Sequence, residues 1–194
     1  MTSAAGKNQM RYGRIRLLLS VISVASLCTL LTFALVTRAE DSEQDEAVTA
    51  VGEKKKPVVH LYFGDMDQTY LTAEEWELVK SDSPSQLGYR ILEALISGPR
   101  GAHVRTIPEK TEIRAFYLTD QGTAYVDLTG GIRENHPGGI NAEMFTIFSI
   151  VNSLVLNVKE INTVKILIDG NEVRTLAGHM DLKTPLRAEM RLIR

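Results

Sequence analysis

The residues that could do chemistry are scattered along the chain. His60, His103, His136 and His179 fall in different segments with no metal-ligand spacing between them, so no zinc site is expected. Asp65 and Asp67 are placed like the opening of a calcium loop. However, Tyr70 stands where glycine is needed and Trp76 where a bidentate glutamate is needed, so the pair reads as an acidic turn after a strand. Gly130-Gly131 and Gly138-Gly139 lack the lysine and the strand-turn-helix spacing of a phosphate cradle and read as loop glycines. There is no Gly-x-Ser-x-Gly elbow, and the single cysteine, Cys28, lies in an apolar run. Glu74-Glu75 could in principle serve as acid and base, yet on a short polar segment they read as solvated charges. The expectation is a protein that is no enzyme, with no catalytic, cofactor-binding or metal-binding residue and no cofactor.

What must hold such residues in place begins at a membrane. Leu17 to Thr37 is uncharged and almost wholly apolar, with Lys7, Arg11, Arg14 and Arg16 before it and acidic residues after it. At about 1.5 Å of rise per residue such a helix spans roughly the 30 Å hydrocarbon core of a bilayer. The positive-inside rule keeps residues 1–16 cytoplasmic and puts the C-terminal part outside, which predicts a single-pass inner-membrane protein with a periplasmic or extracytoplasmic domain. Cleavage after Ala39, with Thr37 and Ala39 as the small residues, is the rival reading, but the run is longer than a signal peptide's apolar stretch. A lipoprotein signal would need a small residue before Cys28 and would end there, whereas Leu27 precedes it and Leu30, Leu31, Phe33 and Leu35 follow. A lone cysteine also allows no intrachain disulfide.

Residues 38–56 contain Glu40, Asp41, Glu43, Asp45 and Glu46, have no aromatic residue, and close on Lys54, Lys55 and Lys56. Such a stretch buries too little apolar area to offset its ordering entropy and is expected to be a flexible linker. With a formal net charge of −2 the chain shows no leaning toward nucleic acid. Residues 57–194 suffice for one domain with one core.

Within that domain Val58 to Phe63 reads as a strand stopped by Gly64-Asp65. Tyr70 to Val79 is ambiguous, because Thr72 with Glu75 matches a capping box while the short stretch could also pair back on the first strand. Ser83, Pro84 and Gln86 open a helix whose apolar face is Leu87, Ile91, Leu92, Leu95 and Ile96, and Gly98-Pro99 ends it. Ile113–Leu118 and Thr123–Leu128 flank a polar turn and form a hairpin; Ala124, Val126 and Leu128 share one face, Thr123, Tyr125 and Asp127 the other. Asn141 is expected to cap a long core helix in which Met144, Phe148, Val151 and Val155 recur. Val164, Ile166 and Ile168 mark a last strand closed by Asp169-Gly170-Asn171. The predicted class is α+β in β-α-β-β-α-β order, a small mixed, largely antiparallel sheet with two main helices on one face, preceded by one transmembrane helix.

Several stretches in order resemble the GerMN domain, the sporulation and spore germination family. They are Leu61-Tyr62-Phe63, Leu95 to Pro99, Ile107-Pro108 with Thr111, Ala124 to Leu128, Ile150 to Leu154, Val164 to Gly170, and Gly178-His179 with Asp181 and Pro185-Leu186. The resemblance implies a module like the ring-building domains of secretion-type assemblies, membrane-attached, outside the cytoplasm and non-catalytic. In endospore formers a tandem-domain lipoprotein of this type contributes to the channel complex between mother cell and forespore. This chain has one such domain and a transmembrane anchor in place of a lipid-modified cysteine, which makes a general envelope role the safer expectation. The family pattern also favours extended structure for Tyr70 to Val79.

The leading expectation is therefore an envelope scaffold that docks protein partners or copies of itself. The alternative is a module binding cell-wall glycan or another periplasmic ligand through Tyr62, Tyr89, Tyr117, Tyr125 and Trp76, and the third is a hydrolase with an unrecognised site.

Overall fold

The computed structural model describes residues 56–194. The expected membrane helix at Leu17–Thr37 and nearly all of the expected linker lie outside the described residues. Among the described residues no helix is long and apolar enough to cross a membrane.

Strands β1 (Val58–Gly64) and β2 (Leu71–Glu77) form an antiparallel hairpin. The turn between them is set by Asp65, whose Oδ1 accepts the N–H groups of Thr69 at 2.7 Å and Tyr70 at 3.0 Å. Local capping chemistry loses in β2. Thr72 faces Phe63 and Glu75 faces His60 in the ladder, because strand pairing satisfies seven residues at once and an isolated helical turn of this length is marginal.

Helix α1 (Pro84–Ser97) starts as its sequence dictates, with Ser83 Oγ accepting the Gln86 N–H at 3.2 Å. The Gln86 side chain reaches back to the Asp82 N–H at 2.8 Å, one residue earlier than the usual reciprocal cap. Its far end is closed by Gly98, at φ 90, and by Arg105, whose guanidinium donates to the carbonyls of Ile96 and Ser97. That places a cation on the partial negative charge of the helix C-terminus.

Strands β3 (Ile113–Leu118) and β4 (Thr123–Leu128) form the predicted hairpin, followed by the short helix α2 (Gly131–Glu134). Helix α3 (Ile140–Val155) then crosses over to β5 (Thr163–Ile168), which runs parallel to β4. The two-residue β6 (Asn171–Glu172) turns back on β5, giving a sheet in the order β3-β4-β5-β6. Asn141 does not cap α3. The helix begins at Ile140 behind Gly139, at φ 86, and no side chain caps it, so Asn141 lies inside the first turn.

The expectation of one sheet is corrected to two, since the β1-β2 hairpin stands apart from the four-stranded sheet. The reason lies in α3, where every residue from Phe145 to Leu154 is buried. A helix buried on every side needs cover from more than one element, and α3 packs against β1 as well as against β5. Ala124, Val126 and Leu128 of β4 are fully buried, as their alternation required.

Candidate functional site

Several of the ionisable side chains hold loops in place. Glu143, fully buried on α3, is the clearest case. Its Oε1 accepts the N–H groups of Leu176 at 3.0 Å and Ala177 at 2.8 Å; its Oε2 takes the His179 N–H at 2.8 Å and lies 2.9 Å from His179 Nδ1. Burial alone would raise its pKa, but the donors of Ala177 and His179 outweigh that and hold the carboxyl below its ordinary range. Arg133 secures the same loop by donating to the carbonyls of Thr175 and Leu176. The Gly178-His179 corner is thus a ligand of a structural carboxylate.

Glu74 on β2 plays the same part for the loop after α1. It accepts the Trp76 indole N–H at 2.7 Å and the N–H groups of Arg100 at 2.9 Å and Gly101 at 3.0 Å. Burial opposes ionisation there too and is outweighed by these donors, so the pKa is lowered. The Arg100 guanidinium covers the Trp76 ring at 3.5 Å from its centroid. Glu75 points to the other face and lies 3.6 Å from His60 Nε2. Neighbouring strand residues face opposite ways, so Glu74 and Glu75 do not converge on a common substrate atom.

Asp127, next to last in β4, is a backbone acceptor, taking the Gly170 N–H at 2.8 Å, and Arg114 bridges it to Asp169 at 3.3 Å and 3.2 Å. His136 Nδ1 accepts the Gly138 N–H at 3.0 Å, and Nε2 lies 3.2 Å from Thr146 Oγ1. Burial pushes its pKa down, which favours the neutral imidazole. His60, His103, His136 and His179 remain apart, and among the described residues no three His, Cys, Asp or Glu side chains gather as a metal site would need. Asp65 and Asp67 sit in the β1-β2 turn, as expected. Gly131 packs so closely on the Lys110 carbonyl that no Cβ fits, while Gly138 and Gly139 adopt positive φ.

Of the aromatics proposed for stacking, Tyr62 and Trp76 are core residues and Tyr89 is 38% exposed. Tyr117, 64% exposed, stands directly opposite Tyr125 on the outer face of the larger sheet. The hollows are small or shallow. A cavity of about 110 Å³ lies between Gly64, Thr106, Pro137 and Phe145. A wider groove of about 490 Å³ is lined by Met144, Phe148, Met180 and Leu192, with the Glu189–Arg191 ion pair at its rim.

Sequence reasoning missed three anchors of the C-terminal segment. They are Glu143, Asn152, which exchanges hydrogen bonds with both backbone groups of Glu189, and buried Lys165, which donates to the carbonyls of Leu182 and Lys183. The signal available was a polar residue placed within an apolar face.

These features define an α+β module: two helices against a mixed four-stranded sheet, with a separate hairpin on α3 and a C-terminal segment pinned by buried polar groups. The Germane family model, described as sporulation and spore germination, matches residues 60–174, and the chain belongs to this family. Among solved structures it is similar to a Clostridium perfringens protein described as a candidate lipoprotein, with 27% identity, TM-score 0.50, and coverage of 70% of this chain and 89% of that one. The first GerMN domain of the Bacillus subtilis sporulation protein GerM is 20% identical, with TM-score 0.52 over 70% of this chain and 98% of that one. The tandem GerMN domains of the same protein give TM-score 0.53 at 19% identity, over 68% of this chain and 46% of that one. The two GerM likenesses bear on the fold. No curated protein matches the sequence.

Proposed function

We propose that this protein is a non-catalytic assembly module of the bacterial envelope. Leu17–Thr37 anchors it in the inner membrane, and its GerMN domain faces the extracytoplasmic side. The observation that carries the reading is the employment of the ionisable side chains: the carboxylates of Glu143, Glu74 and Asp127 are committed to backbone N–H groups and fixed cations. What is left to meet other molecules is surface, including the exposed Tyr117 and Met190. Family membership and the likeness to a candidate lipoprotein support a place at the membrane. Sporulation or germination complexes are one setting for such a module, and general envelope assembly is another.

Chemical crosslinking of the full-length protein in native membranes tests this. The expected result is a homo-oligomer or a defined partner, and recovery of monomer alone overturns it. A reporter fused to the C-terminus should be active outside the cytoplasm; activity confined to the cytosol overturns the proposed topology.

The Tyr117–Tyr125 pair favours one second reading, a stacking surface for cell-wall glycan. Retention of residues 57–194 on purified wall, lost in Tyr117→Ala, would establish it.

A further inference from the structure

We propose that β3 is a homotypic docking edge, pairing antiparallel with β3 of a second copy across a twofold axis through Tyr117. The inference rests on the assembly reading above and names the surface it would use.

The opposite edge of the four-stranded sheet is closed: β6 pairs with Leu167 and Ile168, and Leu186 exchanges both backbone hydrogen bonds with Val164. Among the described residues β3 pairs with β4 alone. Which of its backbone groups are free follows from the turn. The Thr119 N–H donates to the Thr123 carbonyl at 3.0 Å, so that pair is hydrogen-bonded. By the alternation of an antiparallel ladder Tyr117–Tyr125 is hydrogen-bonded as well, and the N–H and C=O groups of Phe116 and Leu118 point away from the sheet.

The sequence then selects the register. The chain is irregular between Ile113 and Ala115, with Arg114 as the extra residue, so a partner strand pairs cleanly only from Ala115 onward. Centring the twofold on Tyr117 sets Phe116 opposite Leu118 of the second copy and uses every outward backbone group between Ala115 and Leu118. It also keeps faces matched: Tyr117 meets its twin on the outer face, and the inward-facing Phe116 meets an inward-facing Leu118. A one-residue shift would set an inward side chain against an outward one.

Charge permits the second copy. Strand edges are usually protected by charged side chains. The single charge on β3, Arg114, is turned onto Asp127 and Asp169 and lies outside the paired segment. Bringing two copies together therefore opposes no like charges between Ala115 and Leu118. Tyr117, already 64% exposed, is covered by the same pairing.

The test uses the full chain in membranes with Cys28→Ser as background. Tyr117→Cys places two sulfurs across the axis, and mild oxidation should convert the protein into a disulfide-linked dimer. Adding Leu118→Pro removes an outward N–H that the fold does not use and should cut that dimer several-fold. Undiminished crosslinking in the double variant overturns the strand pairing. If Tyr117→Cys stays monomeric while Met190→Cys crosslinks, β3 is not the edge, although assembly stands. If neither crosslinks and chemical crosslinking also finds only monomer, both readings fall.

Discussion

The carboxylate of Glu143 and the imidazole of His179 meet at 2.9 Å, although one sits in the first turn of α3 and the other in the C-terminal segment. The contact converts a helix position into the peg on which residues 175–180 hang. It ties the end of the chain to its most buried element.

Removing that peg should cost a large part of the domain's stability. Glu143→Gln keeps the size but replaces an ionised acceptor of several N–H groups with a neutral amide whose NH₂ faces other donors. A loss of about 2–4 kcal/mol is expected in urea unfolding, with the midpoint lowered and the slope unchanged. Because the folded pKa of Glu143 lies below the ordinary 4.5, its stabilisation is complete above that value. It is lost as pH falls through the folded pKa.

His136 acts in a different pH window. Its folded pKa is depressed below 6.5 by burial, so the unfolded chain binds a proton more readily and stability declines as pH drops below about 6.5 toward the folded value. Protonating Nδ1 also turns the acceptor of the Gly138 N–H into a donor. Thermal unfolding of wild type and His136→Asn between about pH 7.5 and about pH 5 should show the decline in the first and a flatter response in the second.

Gly88 decides how closely α1 lies on β3. A Cβ there would lie 2.8 Å from Phe116 Cε1 and closer still to Cζ, too near for van der Waals contact. Replacing glycine by alanine in a helix interior ordinarily gains about 0.5–1 kcal/mol. Overpacking of this kind costs about 1–3 kcal/mol, so Gly88→Ala should be net destabilising. Gly88→Ala with Phe116→Leu should recover part of the loss, giving a coupling energy in a double-mutant cycle.

Arg105 should matter through α1 alone. Arg105→Ala frees the Ile96 and Ser97 carbonyls and removes the cation from the helix end, for an expected loss of about 1–2 kcal/mol. Amide exchange should quicken in the last turn of α1 and leave β4 unaffected.

Local chemistry was legible in the chain. The Ser83 cap, the Gly98 stop, the β3-β4 turn and the inward row of Ala124, Val126 and Leu128 each follow from residues within a few positions of one another. The start of α3 was not, because Asn141 is a strong capping residue and the positive φ of Gly139 comes from the loop behind it.

The sequence by itself determined the strands β1, β3, β4 and β5, the existence of the two long helices, and the family resemblance, but not β2, the short helix at Gly131 or the start of α3. What it determined depends on periodicity, turn residues and short-range hydrogen bonds. Tertiary structure alone decided that the strands divide into two sheets and that Glu143, Asn152 and Lys165 become anchors for the C-terminal segment. Whether a polar side chain in an apolar stretch is solvated or committed depends on backbone groups dozens of residues away, and only folding brings these within hydrogen-bonding distance.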